Sequence, residues 1–337
     1  MASDAAGGAE EAPVDTSLID ACVAASVPRV KEALARGVDV NAAATIVIDA
    51  HAARPTTAVF EAAVCGDVAV LDALLSGAGP ELDVNRRVGR LRHSPLGAVA
   101  AGGDEAAVAA LLAHPSIDPN VGSDGLGAPL ALACAAGRVG VVQQLLAHRG
   151  EITVDVNSLS RSGFPPIAEA VKGGHEKIVL LLLEDERVDA DKESEGADGP
   201  STALSLAVLA DARDTVAALI DSGRVDLAAG EAKFGLLAAA RDRGFEAMFE
   251  LLERYFLTRA PLEELDPTAQ VAKLRYAFAD ADVERRGYIT KDQLGDLAAA
   301  VGTELEQAEI DEAAIALDTS GDKKIQFEEL AAFWLGA

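Results

Sequence analysis

Pro129-Leu130-Ala131-Leu132-Ala133-Cys134-Ala135-Ala136-Gly137-Arg138-Val139-Gly140-Val141-Val142-Gln143-Gln144-Leu145-Leu146 is the stretch whose spacing decides the fold. Counted from Leu130, small residues stand at +3 and +4, glycine at +7, aliphatics at +11 and +12, and a leucine pair at +15 and +16. The same offsets recur from Ile167 (Ala170, Val171, Gly174, Ile178, Val179, Leu182, Leu183) and from Leu96 (Val99, Ala100, Gly103, Ala107, Val108, Leu111, Leu112). They recur from Leu204 as well, with Asp211 in place of the glycine. Weaker copies start at Leu18, Val59 and Leu237, so the seven anchors are spaced by 33 to 41 residues.

These offsets describe a helix hairpin. Positions 0, +3, +4 and +7 lay one apolar stripe along a short first helix. Glycine at +7 supplies the left-handed residue that ends it. Positions +11, +12, +15 and +16 lay a second stripe along a second helix. One hairpin cannot bury both stripes alone, so the units must stack, and the small residues let neighbouring first helices approach closely. Between hairpins a tail recurs: Asp39-Val40-Asn41, Asp83-Val84-Asn85, Asp118-Pro119-Asn120 and Asp155-Val156-Asn157. Asp and Asn favour turns there through side-chain bonds to nearby backbone.

The pattern resembles the ankyrin repeat family over about residues 14–257. Ser94-Pro95-Leu96, Ala128-Pro129-Leu130 and Pro165-Pro166-Ile167 stand where that family has Thr-Pro-Leu. The family's next residue, His, is replaced by Gly97, Ala131, Ala168 and Ser205. Its bonds between neighbouring repeats are then lost, which predicts a looser array. The spacings above 33 predict longer hairpin loops, the largest at about Ala42 to Thr56.

Downstream, Pro261 and Pro267 punctuate a linker, and Asp266-Pro267 reads as a helix N-cap followed by proline at the first helical position. The segment Asp318-Thr319-Ser320-Gly321-Asp322-Lys323-Lys324-Ile325-Gln326-Phe327-Glu328-Glu329 then carries the chemistry. Ca²⁺ is a hard cation that takes six to eight oxygens. Asp318, Ser320 and Asp322 offer side-chain oxygens at positions 1, 3 and 5. Lys324 offers its carbonyl at position 7, Gln326 a water-mediated contact at position 9, and Glu329 both carboxylate oxygens at position 12. Ile310, Ala314 and Leu317 before the loop, and Leu330, Phe333 and Trp334 after it, are the apolar faces of two flanking helices. Thr303 with Glu306 reads as a capping box that starts the first of them. Position 6 calls for glycine and holds Lys323, and a left-handed lysine costs about 1–2 kcal/mol.

This segment resembles the calmodulin-like EF-hand family, over about residues 268–337. An upstream partner hand aligns with Asp282 at position 1, Glu284 at 3, Arg286 at 5, Gly287 at 6, Tyr288 at 7, Ile289 at 8 and Gln293 at 12. A cation at position 5 and an amide at position 12 make it a structural hand that covers its partner.

The expected architecture is all-α: an ankyrin-type helical solenoid followed by an EF-hand pair. Its expected divisions are an N-terminal tail (1–13), an array of about seven repeats (14–257), a linker (258–267) and the pair (268–337). The 337 residues are half apolar but only 4% aromatic, so alanine, leucine and valine build the core. A formal net charge of −26, with no basic stripe to offset it, disfavours nucleic acid and acidic membrane surfaces. No apolar run approaches the roughly 18 residues of a membrane span. The N-terminus lacks the basic start and apolar stretch of a signal peptide. Cys22, Cys65 and Cys134 are too few and too scattered for a disulfide framework or a metal site, which suits a reducing, cytoplasmic setting. The five histidines do not cluster, and no nucleophile motif or phosphate-cradling glycine loop is present. The expectation is a calcium-binding, non-enzymatic adaptor; the alternatives are a calcium buffer or a scaffold that Ca²⁺ only stabilises, or a regulatory subunit of an enzyme complex. Its first-helix positions +5 and +6, from Val23 and Ala24 to Leu209 and Ala210, would line a concave face for a protein partner. Its second hand would bind Ca²⁺ through Asp318, Ser320, Asp322, Lys324 and Glu329.

Overall fold

The computed structural model describes residues 15–49, 52–124, 127–195, 199–259, 267–303 and 305–335. The expected tail and the Asp266 N-cap lie outside these residues. The chain divides into two compact units, Met1–Val225 and Asp226–Ala337.

The first unit is a stack of helix hairpins: α1 (Ser17–Val23) with α2 (Val27–Ala35), α3 (Ala58–Val64) with α4 (Val68–Gly77), and α5 (Pro95–Gly102) with α6 (Glu105–Leu112). There follow α7 (Pro129–Ala135) with α8 (Val139–Ala147), α9 (Pro166–Lys172) with α10 (Glu176–Glu184), and α11 (Ala203–Leu209) with α12 (Arg213–Asp221). First helices pack on first helices in chain order, and second helices on second helices. The repeat offsets are the buried ones: Leu130, Ala133, Cys134, Val141, Val142 and Leu145 are all sealed from solvent, as are their counterparts in the other hairpins of this unit except Arg29 in the first, which is exposed. All seven +7 positions are left-handed, with φ from +48° at Ala25 to +87° at Gly103, whether or not the residue is glycine. Asp211 reaches φ +53° there. The hairpin geometry therefore overrides the preference of an alanine and an aspartate for right-handed backbone.

Ser205, standing where the family has His, closes a capping box on α11. Its N–H donates to Thr202 Oγ1 at 3.3 Å, and Thr202 N–H donates to Ser205 Oγ at 2.9 Å. Bonds between repeats run instead through the Asp-x-Asn tails. Within each tail the Asp carboxylate accepts from the Asn backbone N–H, as Asp118 does from Asn120 at 2.9 Å. The Asn amide then bridges to the next tail: Asn120 Nδ2 donates to Thr153 O at 2.9 Å and Asn120 Oδ1 accepts from Asp155 N–H at 2.7 Å. Asn41, Asn85 and Asn157 make the same two-way bridge. Arg224 adds a further tie, donating to the carbonyls of Leu183 and Asp185 at 2.8 and 2.9 Å near the end of α10.

The long connection after α2 is not a plain loop. It folds into an antiparallel ribbon, β1 (Ala43–Asp49) and β2 (Ala52–Thr57), in the register Ala43 opposite Thr57 with an irregularity between Val47 and Asp49. Thr45-Ile46-Val47-Ile48 is a β-branched run, and such residues favour extended backbone.

The second unit begins with α13 (Leu227–Phe234), which the repeat offsets do not foretell. Asp226 caps it by accepting from Ala229 N–H at 2.9 Å, and left-handed Gly235 separates it from α14 (Leu236–Asp242). The seventh-repeat hairpin, α14 with α15 (Glu246–Arg259), belongs to this unit, and α15 packs on α16 (Pro267–Ala281). Then come β3 (Tyr288–Ile289), α17 (Lys291–Ala300), α18 (Gln307–Leu317), β4 (Ile325–Gln326) and α19 (Phe327–Leu335). Leu274, Phe278, Ile289, Leu294, Leu297, Leu317, Ile325 and Leu330 form one core shared by both hands. Phe278 meets Phe327 edge to face at 5.7 Å.

The capping box falls one turn later than Thr303 and Glu306 suggest. Thr303 N–H donates to Ala298 O at 2.9 Å, so Thr303 finishes α17. Glu306 is the N-cap of α18, and its N–H donates to Glu309 at 2.8 Å.

Candidate calcium site

Two loops of equal length lie side by side, joined where β3 pairs with β4 and Ile289 faces Ile325. Both isoleucines are buried. The loops share one backbone conformation. Position 4 is left-handed in both (Arg285 at φ +51°, Gly321 at +76°), and so is position 6 (Gly287 at +81°, Lys323 at +62°). Each loop thus holds one bulky residue where glycine suits best.

The first residue of each loop organises it. Asp282 accepts from Arg286 N–H at 2.9 Å and from Gly287 N–H at 2.6 Å. Asp318 accepts from Asp322 N–H at 3.1 Å and Lys323 N–H at 2.8 Å, and also from Gly321 N–H at 2.7 Å and the Ser320 hydroxyl at 3.2 Å. Desolvation by surrounding atoms pushes the Asp318 carboxyl up. The N–H groups of Lys323, Gly321 and Asp322 and the Ser320 hydroxyl outweigh it and hold the carboxyl below its ordinary value. Asp318 is therefore ionised and aimed into the loop at neutral pH.

Position 12 separates the two hands. Both side chains accept from the N–H of position 9: Gln293 from Thr290 and Glu329 from Gln326, each at 2.9 Å. The other terminal atom differs. Gln293 Nε2 donates to Ala281 O at 2.6 Å, which closes the first loop onto its own entering helix without any ion. Glu329 has no proton to donate, and its Oε1 accepts from the Thr319 hydroxyl at 2.7 Å. In the first loop, Arg286 and Glu284 pair with each other at 3.4 Å, which occupies positions 3 and 5.

Asp318, Ser320, Asp322, Lys324 and Glu329 thus lie on one loop, with Asp318 and Ser320 in direct contact. Among the described residues, no three His, Cys, Asp or Glu side chains already converge on one point. Asp322 instead accepts from Lys324 N–H at 2.9 Å, and Lys324 Nζ lies 4.6 Å from the Tyr288 ring. The donor set is all oxygen and carries three carboxylates, which fits Ca²⁺. Binding would exchange bonds to protein donors for bonds to the ion. The Thr319 latch escaped the sequence reading because position 2 is not a ligand position. The Gln293 lock was half legible, as an amide where a carboxylate belongs.

On the repeats, the first-helix row is open in part. Val23, Ala24, Val64, Ala135, Leu209 and Ala210 are exposed, while Cys65, Ala101 and Ala136 are half-buried. Two carbonyls of this row are bonded by the following repeat, Ala101 O to Arg138 Nε at 3.1 Å and Ala135 O to a ring nitrogen of His175 at 3.3 Å. Among the described residues, no helix is long and apolar enough to cross a membrane.

Comparison with known proteins agrees with this division. Residues 96–195 and 130–230 match the family model for ankyrin repeats in three copies, and residues 271–335 match that for an EF-hand domain pair. The chain carries ankyrin repeats followed by an EF-hand pair. Among solved structures it is similar to an ankyrin repeat domain from Acinetobacter baumannii AYE, at 23% identity and TM-score 0.51, over 62% of this chain and 98% of that one. It is also similar to the ankyrin repeat domain of Bcl-3, a member of the IkappaB protein family, at 19% identity and TM-score 0.51, over 63% of this chain and 87% of that one. These likenesses concern the fold. No curated protein matches. Ankyrin repeats point to protein–protein interaction and the EF-hand pair to calcium binding, and neither domain type is typically an enzyme.

Proposed function

We propose that this chain is a non-enzymatic, Ca²⁺-responsive interaction adaptor. The repeats, taken as 14–257, hold a protein partner, and the pair at 268–337 binds one Ca²⁺ through Asp318, Ser320, Asp322, Lys324 and Glu329. The observation that carries this reading is the contrast at position 12. Gln293 is locked to Ala281 O, while the Glu329 carboxylate is held only by a hydroxyl and one N–H. The partner docks along the exposed apolar row of the first helices, in the helix-in-groove mode. Three free cysteines support a reducing, cytoplasmic setting.

Titration calorimetry with Ca²⁺ and with Mg²⁺ tests the ion site. The expected result is one Ca²⁺ per chain, with a dissociation constant on the order of 10⁻⁵ M or weaker. A stoichiometry of two would overturn the assignment of the first hand as structural. Affinity capture in each ion state tests the adaptor role. Glu at Ala101 and Ala135 should weaken capture with helicity intact, and unchanged capture would move the interface off the first-helix row.

A further inference from the structure

The acidity of the chain conceals one basic run. Between Asp83 and Asp104 it carries Arg86, Arg87, Arg90, Arg92 and His93 and no acidic residue. The fold gathers this run at a cavity of about 650 Å³ in the first unit, between the β1–β2 ribbon and the turns after α4. Arg86, Arg87 and Arg92 line it, with Pro55 and Thr56 of β2 on one side, and Asp83 is the one carboxylate among the lining residues.

The guanidinium groups are held in place. Arg86 donates to Asn41 O at 3.0 Å. Arg87 and Arg92 share one carboxylate, that of Asp124, with Arg92 Nε at 3.0 Å. Each guanidinium has five N–H donors, so one such bond leaves most of its donors for a ligand. Arg90, on the same run, is exposed and stands outside the lining residues. Counting Asp83 and Asp124 against Arg86, Arg87 and Arg92 leaves a local excess of one positive charge. Salt screens charges over about 8 Å at physiological ionic strength, so the acidic surface elsewhere does not cancel it.

We propose that this cavity is a docking site for an acidic peptide segment of a protein partner, whose carboxylates pair with Arg86, Arg87 and Arg92. Charge complementarity names the occupant, because arginine forks match carboxylates with two parallel bonds. The volume falls within the ~300–1,000 Å³ of ligand-sized pockets and exceeds what a single small anion fills. The proposal rests on the reading of the repeats as a protein-binding array. It adds a second contact, on the turn side and away from the first-helix row.

The test is fluorescence anisotropy of a labelled octaglutamate peptide with the full chain at physiological ionic strength, where the screening length stays near about 8 Å. Binding is expected, is expected to weaken at least tenfold in Arg86→Ala/Arg92→Ala, and is expected to survive Ala101→Glu/Ala135→Glu. The last arm separates this proposal from the first-helix interface. Circular dichroism and an unchanged melting curve establish that the variant is folded, and Arg86→Lys/Arg92→Lys should restore part of the affinity. Four results would overturn the proposal: no binding by octaglutamate, equal binding by the arginine variant, full displacement of the peptide by millimolar inorganic phosphate, and binding of phosphatidylserine vesicles in place of the peptide. Self-association abolished by the same substitutions would assign the site to a second copy and overturn it equally.

Discussion

The Thr319 hydroxyl donates to Glu329 Oε1 at 2.7 Å, so the second residue of the loop holds the carboxylate that the twelfth would give to a metal ion. The hydrogen bond and the ion compete for the same oxygen. The hydroxyl draws on electron density that Glu329 would otherwise give to the ion with both oxygens.

Thr319→Val removes the competing donor while keeping the β-branched shape. A hydrogen bond to an ionised carboxylate contributes about 1.5–3 kcal/mol net and this exposed one stands at the low end, so Ca²⁺ affinity should rise by up to roughly tenfold. Glu329→Gln should abolish binding, since it installs the amide that closes the first hand. Calorimetry checks both. Weaker binding by Thr319→Val would show that the hydroxyl assists the ion rather than opposing it.

Lys323 sits at φ +62° at the sharp turn of the second loop. That conformation costs a lysine about 1–2 kcal/mol. Lys323→Gly should therefore tighten Ca²⁺ binding by about 5- to 30-fold if the ion is what forces the turn to persist. If the free loop already bears the strain, the gain appears as a higher melting temperature instead. An effect on neither measurement would refute the strain.

Asn120 bridges two repeats through Thr153 O and Asp155 N–H. Two hydrogen bonds of about 0.5–1.5 kcal/mol each put the cost of Asn120→Ala at about 1–3 kcal/mol. Urea denaturation followed by circular dichroism reads it. Stability equal to the parent would mean that water replaces the amide without loss.

The cysteines should separate by reactivity. Cys22 and Cys134 are buried, and Cys65 is half-buried. Desolvation, with the Cys65 and Glu61 charges behind it, pushes the Cys22 thiol up to about 12. Desolvation, aided by Glu169, pushes Cys134 up as well. Neither thiol forms the thiolate that attacks alkylating reagents near pH 8. Brief iodoacetamide treatment at that pH, read by peptide mass spectrometry, should label Cys65 first and the other two only on unfolding. Early labelling of Cys134 would contradict the packing of α7.

Much of this was legible in one dimension because repeats restate their physics. The offsets from Leu130 recur often enough to reveal the stripes, and glycine at +7 marks each left-handed turn. Ala25 and Asp211 take that turn too, which local preference argues against and only the stacked hairpins explain. The paired loops of the two hands were readable for a similar reason, since a contiguous twelve-residue loop carries its own geometry. The ribbon was half visible in Thr45 to Ile48, whose β-branched run sits where a loop was expected.

By itself, then, the sequence determined what is periodic or contiguous: the hairpins, their order and the paired hands. The tertiary structure decided whatever joins residues far apart in the chain. It brought Asn120 to Asp155, closed Gln293 onto Ala281 O, and gathered Arg86, Arg87 and Arg92 around one cavity lined by β2. Local spacing encodes a helix face because 3.6 residues make a turn. A hydrogen bond between repeats depends on how two packed units are offset, and no spacing within either unit records that.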